Sequence, residues 1–240
     1  VLAPVVSADA GYNGLNPADV AITVIDDDDI RAAAGAQVLY LFDEGAGTTV
    51  ENAGVLGSAL DLQIRDGTTY TVNAAGTTWG AGSLAITGAN KFIGRAAATP
   101  TFEAAFTNEI TIEAWIQPSL LTFPDGSPNR IVTYSDPLNP ISSRNFQLGQ
   151  GDDTVDAGEV GGADTEYNVR LRASSSANPQ GTTPDFSSPV NVAQLGLQHV
   201  VFVHRSDGSE QMWVNGLTVE SQPAGYRSGD CSNWGSSFCL

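Results

Sequence analysis

The stretch that decides the fold is residues 198–221, which read QHVVFVHRSDGSEQMWVNGLTVES. Apolar and polar residues alternate in three short segments of it, at 199–205, 210–214 and 217–221. This period of two is typical of strands whose side chains point in turn to opposite faces. An Asp-Gly pair and an Asn-Gly pair separate the segments, and both tolerate the positive φ of tight hairpin turns. The stretch therefore predicts an antiparallel β-meander of three strands.

The first strand of this meander shows the alternation most clearly. Val200, Phe202 and His204 are predicted to point to one face of the sheet. Val201 and Val203 are predicted to point to the other. A slip of one residue would move the whole buried set into solvent, so the pattern defines the register of the hairpins.

Similar short segments recur along the rest of the chain, between breaks of Gly, Asn, Thr or Pro. Strands are predicted at about 37–42, 60–64, 83–87, 91–94, 109–117, 130–135, 145–149 and 166–173. Residues 79–82 are predicted as a loop, 96–105 as a short helix, and 174–189 as a surface loop without periodicity. Short, regularly spaced strands with turn signals are typical of an all-β sandwich or barrel.

The charge of the chain limits its partners. Ten Lys and Arg stand against 27 Asp and Glu, for a formal net charge of -17 at pH 7. Such a surface repels nucleic acid and anionic membranes and favours cations. No stretch approaches the roughly 18 consecutive apolar residues of a membrane span. We therefore expect no nucleic acid partner and no membrane insertion.

Four further segments resemble strands of one family of β-sandwiches. In chain order they are VLYLFDEG at 38–45, ITIEAWIQP at 110–118, NFQLG at 145–149 and YNVRLR at 167–172. Together with the meander they resemble a laminin-G-like domain of the concanavalin A-like lectin and glucanase type, over residues 36–240. The resemblance implies a two-sheet antiparallel jelly-roll sandwich.

The first part of the chain differs from the rest. Residues 7–29 read SADAGYNGLNPADVAITVIDDDD and contain alternating Val20, Ile22 and Val24. They resemble the tail of a Calx-beta-like repeat of large bacterial surface proteins, in which the last strand runs into an acidic linker. We therefore divide the chain into residues 1–29 and 30–240. A disordered acidic leader is the alternative for the first part.

Two acidic clusters are candidate calcium sites. Calcium prefers several oxygen ligands from a flexible loop, and glycines would let backbone carbonyls turn towards the ion. The candidate ligands in the longer, glycine-containing cluster are Asp152, Asp153, Asp156 and Glu159. Asp26 and Asp28 form the second candidate, since the repeats that this part resembles often hold calcium between modules. A solvated acidic loop is the alternative reading of the longer cluster.

Exposed aromatic side chains are the usual means of binding carbohydrate, because sugar rings stack on them. Trp79, Tyr134 and Trp234 lie in or near predicted loops and are the candidate ligand-binding residues. Trp115 and Trp213 lie in the middle of predicted strands, where packing in the core is the competing role.

One segment raises the alternative of an enzyme. On a strand, Glu109, Thr111 and Glu113 face the same way. The segment is similar to the Glu-x-Asp-x-Glu strand of glycoside hydrolases with this fold, in which two glutamates act as nucleophile and acid. Here Thr111 stands in place of the middle aspartate, which argues against catalysis. His199 and His204 are expected to face opposite sides and so cannot bind one metal ion together.

The two cysteines, Cys231 and Cys239, lie close together in a segment rich in Gly and Ser. They are predicted to form a small disulfide loop in an oxidising compartment, with two reduced thiols as the alternative. The chain begins at Val1 without a Met, and we expect it to be a processed piece of a longer exported protein.

These features favour a non-catalytic extracellular module of a larger bacterial surface protein. Its predicted role is adhesion or the binding of a carbohydrate or protein ligand, with calcium stiffening its loops. A glycoside hydrolase is one alternative. The other is a filament subunit that binds copies of itself, because the resembling domains continue past Leu240 to a closing strand. Residues 19–25 of a second copy would then fill the place of that strand.

Overall fold

The computed structural model describes residues 8, 35–87, 91–94, 107–123, 129–135, 144–151, 164–174, 181, 184, 186–231 and 234. The described part is all-β, and every strand in it pairs with its neighbours antiparallel. The strands are β1 (Thr49–Val50), β2 (Leu62–Arg65), β3 (Thr77–Gly80), β4 (Ser83–Ile86), β5 (Lys91–Gly94), β6 (Ile110–Ile116), β7 (Asn129–Ser135), β8 (Arg144–Gln150), β9 (Tyr167–Leu171), β10 (Phe186–Ser187), β11 (Gln198–His204), β12 (Glu210–Val214) and β13 (Leu217–Gln222). A single 3-10 turn (Gly57–Leu60) precedes β2. The predicted all-β class is confirmed.

The predicted meander forms most of the first four-stranded sheet, in the order β13-β12-β11-β6. Asn215 and Gly216 both have positive φ, of 52° and 78°, as a tight turn between β12 and β13 requires. Burial alternates along β11, where Val200 and Phe202 are fully buried and Val201 and Val203 are half-buried. The predicted alternation and hairpins are therefore correct.

A second four-stranded sheet, in the order β10-β9-β8-β7, packs against the first. Its inward side chains join those of the meander in one core, which includes Phe146, Leu148, Tyr167, Val169, Leu171, Phe186, Val200, Phe202 and Met212. Phe186 meets Phe202 edge to face, with ring centroids 5.3 Å apart. Because residues of both sheets meet in one cluster, the two sheets form a sandwich.

The other face of the second sheet is polar and is also buried. Every residue of β8 and of β9 is buried, so these strands are covered on both sides. The buried polar residues on them are Arg144, Asn145, Gln147, Gln150, Asn168 and Arg170. Arg144 donates through Nη1 to Oε1 of Gln147 at 2.7 Å. Burial, and then the charges of Arg170 and Arg130, lower the pKa of Arg144.

Three predictions of secondary structure are corrected. Residues 38–42 form no strand, because Leu39 donates to the Asn52 side chain and Phe42 has a positive φ of 56°. Trp79 lies in β3 rather than in a loop, paired with Leu84 of β4. The predicted loop at 174–189 contains β10. The helix predicted at 96–105 and the boundary at residue 29 lie outside the described residues.

Candidate functional site

The side of the first sheet that faces away from the core, here the outer face, is fully described. The core-facing positions of β6 are the buried Ile112 and the half-buried Ile110, Ala114 and Ile116. The alternate positions of β6, β11 and β12 form the outer face, and they are Thr111, Glu113, Trp115, His199, Val201, Val203, Gln211 and Trp213. Two tryptophans on the exposed side of a sheet are unusual, since large aromatic side chains are normally well buried.

Trp115 is the most prominent side chain of this face, and 62% of its surface is exposed. It lies directly opposite His199 of β11, and the two rings stack with centroids 4.4 Å apart and planes at 15°. Nε2 of His199 lies 2.8 Å from Oε1 of Glu113. We call these three residues the Trp115 platform.

The backbone fixes the position of His199, because its N–H donates to Oδ1 of Asn215 at 2.9 Å. Asn215 is the turn residue that joins β12 to β13, so the hairpin turn holds the backbone of His199. The imidazole ring itself is held by the Glu113 carboxylate. The platform is therefore built from regular strands rather than from loops.

The open side of the indole points away from β11. Neighbouring strands lie about 4.8 Å apart, so two stacked rings on paired residues stand side by side across the strands. His199 then covers one side of the Trp115 ring, and the other side faces the edge of the sheet. Among the described strands, β6 pairs only with β11, so no described strand occupies that side.

The opposite end of the outer face is polar. Ser206 donates through its hydroxyl to Oε1 of Glu109 at 2.9 Å, and Arg205 donates through Nη2 to Oε1 of Gln211 at 2.7 Å. A shallow depression of about 330 Å³ lies here, lined by Glu109, Ile110, Thr111, Val203, His204 and Arg205. The outer face thus runs from an aromatic end to a polar end.

The predicted orientation of Glu109, Thr111 and Glu113 on one face is correct. The two carboxylates, however, are held by different neighbours, Ser206 for Glu109 and His199 for Glu113.

None of the three aromatic residues predicted to contact a ligand belongs to the Trp115 platform. Tyr134 lies in β7, is 2% exposed and packs in the core against Phe146, with ring centroids 6.0 Å apart. Trp234 packs on the same two rings and donates through Nε1 to the carbonyl of Arg172. Trp79 is half-buried in β3 and donates to the carbonyl of Gly47.

All predicted calcium ligands lie outside the described residues; they are Asp26, Asp28, Asp152, Asp153, Asp156 and Glu159. Within the part of the chain that the structure describes, no three His, Cys, Asp or Glu residues are grouped to hold a metal ion. Calcium binding therefore stays a prediction.

The predicted disulfide also stays a prediction, because Cys239 lies outside the described residues. Cys231 is a free cysteine with no exposed surface, and its N–H donates to Oδ1 of Asn108 at 3.1 Å. In the reduced form, burial raises the pKa of the Cys231 thiol to about 12.

The second histidine belongs to a charged cluster that sequence analysis did not predict. His204 faces the core, on the side opposite His199 as expected, and its Nδ1 lies 3.1 Å from Oε1 of Glu210. Arg227 donates through Nε and Nη2 to the same carboxylate, at 2.5 and 3.2 Å. All three side chains have no exposed surface, which makes this a structural cluster of the interior.

A simple signal in the sequence could have identified Trp115. Ile110, Ile112, Ala114 and Ile116 are the apolar alternate positions of β6, which leaves Trp115 on the same side as Thr111 and Glu113. A tryptophan that breaks the polar side of an amphipathic strand is a better candidate for ligand contact than one in a predicted loop.

Comparisons with protein-family models, with curated proteins and with solved structures found no match for this chain.

Among the described residues, no helix is both long and apolar enough to cross a membrane.

Proposed function

We propose that this chain is a non-catalytic binding module that recognises a carbohydrate on the Trp115 platform. The observation that carries the proposal is the 62% exposure of an indole that is stacked on His199 and flanked by a carboxylate. Burying that indole against a ligand would stabilise the complex by about 25 cal/mol per Å² of apolar surface removed from water.

A sugar ring matches the chemistry of the platform. One side of a pyranose carries mainly C–H groups, which pack on the flat, electron-rich face of an indole. Its hydroxyl groups donate hydrogen bonds, and a carboxylate such as that of Glu113 accepts them. Glu113 is 41% exposed at its side chain, so solvent and ligands can reach it.

The rigidity of the platform favours binding. Trp115, His199 and Glu113 stand on two paired strands, and the turn at Asn215 holds His199. Side chains that are fixed before a ligand arrives lose little conformational entropy on binding. The proposed role as an adhesion module of a secreted or surface protein rests on the laminin-G-like resemblance of residues 36–240.

Binding to a panel of soluble polysaccharides tests this function, by affinity electrophoresis and titration calorimetry on wild-type protein and Trp115→Ala. We expect at least one polysaccharide to bind, and Trp115→Ala to lose about tenfold or more in affinity, as for an aromatic contact of about 1.5 kcal/mol or more.

The matched control is Leu217→Ala, which removes a side chain that is 72% exposed on the same sheet. Leu217 pairs with the buried Val214 and so does not belong to the outer face. Equal losses for the two variants, or no binding to any polysaccharide, would contradict the proposed function. Release of reducing sugars by wild-type protein but not by Glu113→Gln would favour a hydrolase instead.

A further inference from the structure

We propose that the ligand of the Trp115 platform is a sugar that carries a protonated amine, that is, a deacetylated amino sugar. This inference rests on the proposed carbohydrate-binding function and specifies its chemical class. It depends on the position of Glu113 beside the exposed indole rather than on the indole alone.

An exposed tryptophan attracts cations as well as sugar C–H groups. An ammonium group within about 6 Å of the ring centre is held by the negative face of the indole. Trp115 offers this face with 62% of its surface open, and His199 covers only one side of the ring. A sugar that stacks its ring on the open side could place an amine substituent near the rim of the indole.

Glu113 lies where such an amine would be paired. It is two residues from Trp115 on the same face of β6, which corresponds to about 7 Å along the strand. A charge-assisted contact between an amine and a carboxylate measures about 2.7–2.9 Å. An oligomer with an amine on each ring could therefore place one ammonium group on the indole and another at the carboxylate.

His199 keeps the carboxylate in place. Its Nε2 is 2.8 Å from Oε1 of Glu113, and its ring is stacked on Trp115, so one residue positions both binding groups. The carboxylate is nevertheless 41% exposed, which leaves it accessible to a ligand amine. His199 is therefore a positioning residue of the site.

The overall negative charge of the chain also favours a cationic ligand. A formal net charge of -17 gives a negative potential that attracts cationic ligands and repels acidic glycans. Glu109, at the polar end of the outer face, adds a second carboxylate to the same surface. A polymer with repeated amines would bind more tightly, because the platform contacts it directly and the negative potential of the chain attracts its charges.

Three oligosaccharides of equal length and identical β-1,4-linked glucose backbone provide a direct test. They carry a hydroxyl, an acetamido or an ammonium group at the second carbon of each ring. Titration calorimetry at pH 6 and low salt should show the ammonium oligomer binding about tenfold more tightly than the other two, the sum of a cation–π contact and one exposed ion pair. The preference should decrease as salt is raised, because exposed charges are screened.

The variant Glu113→Gln keeps the shape of the side chain and removes its charge, so it should reduce the preference for the ammonium oligomer to the part that the cation–π contact with Trp115 supplies. Glu220→Gln is the matched control, since Glu220 lies on the same sheet but pairs with the core residue Met212. A pentalysine peptide supplies amines without a sugar ring and should bind much more weakly than the ammonium oligomer.

The possible outcomes separate the two proposals. Equal binding of all three oligomers that still requires Trp115 would overturn the amino sugar and leave the carbohydrate module intact. Pentalysine binding as tightly as the ammonium oligomer, or an equal loss in Glu113→Gln and Glu220→Gln, would also overturn it. Absence of binding by every oligomer would overturn the amino sugar, whereas binding that Trp115→Ala leaves unchanged would overturn the proposed function itself.

Discussion

Replacing Arg227 by methionine should destabilise the sandwich more than any change on its outer face. Arg227 is 1% exposed and makes four hydrogen bonds. Two go to the Glu210 carboxylate, and the others go to the carbonyls of Leu171 and Pro184, both at 3.0 Å. The substitution keeps most of the volume of the side chain and removes every donor.

The expected cost follows from the charge that is left behind. Removing one partner of a buried ion pair costs about 3–5 kcal/mol, because the remaining carboxylate stays buried without a countercharge. For a chain of this size each kcal/mol lowers the Tm by about 2–4 °C. We therefore expect the Tm of Arg227→Met to lie about 6–20 °C below that of the wild type.

Urea unfolding and thermal melts monitored by circular dichroism measure the effect. The matched control is Arg205→Met, since Arg205 is half-buried and donates to Gln211 on the outer face, and its loss should cost about 1 kcal/mol or less. Combining Arg227→Met with Glu210→Gln should restore part of the stability, because the unpaired charge is removed. A cost no greater than that of Arg205→Met, or a double variant whose losses simply add, would refute this reasoning.

Three further predictions concern ions, cysteines and pH. Calcium at a hundredfold excess over its Kd should stabilise the fold by about 2.7 kcal/mol, and a Tm that chelators leave unchanged at low and high salt would exclude such a site. Mass spectrometry without reductant should find Cys231 bonded to Cys239, at a stabilisation of about 3 kcal/mol or less, whereas two free thiols in unfolded protein would disprove the bond. Burial raises the pKa of Tyr167 from 10.0 to about 12, so the stability it contributes is complete below pH 10 and is lost as the pH rises through 12. Ultraviolet titration should show a late ionisation that Tyr167→Phe removes, besides that of Tyr40, whose pKa burial also raises. Ionisation of all tyrosines near pH 10 in folded protein would contradict this.

Local patterns predicted the meander because they act between close neighbours. The alternation in β11 and the Asn215-Gly216 turn specify strands, faces and register without help from the rest of the chain. The predicted strands at 91–94 and 210–214 likewise coincide with β5 and β12. Strand identity depends mainly on such short-range signals, so it could be predicted.

Burial was harder to predict, because it depends on what packs against a residue from far along the chain. Tyr134 is an aromatic residue of the kind that contacts ligands, but its side chain is buried in the core. Trp115 lies in the middle of a strand, yet its side chain is exposed. The polar residues of β8 and β9 would normally indicate a solvated face, yet Gln147 and Arg170 are covered. Residues 38–42 look like a strand, but hydrogen bonds to Asn52 and Ala53 give them an irregular path. No short window of sequence contains these distant partners.

The pairing of β6 with β11 also has a consequence for the order of folding. Strands β11, β12 and β13 are consecutive, so their hairpins close short loops and should form within microseconds. Strand β6 joins them from far away in sequence, because Glu113 and His199 are 86 positions apart. Contacts of such long range are slow to form, because the entropy of closing the loop is lost before the contacts stabilise it. Trp115 therefore meets His199 late, and a chain emerging from the ribosome has no platform until β11 has been synthesised.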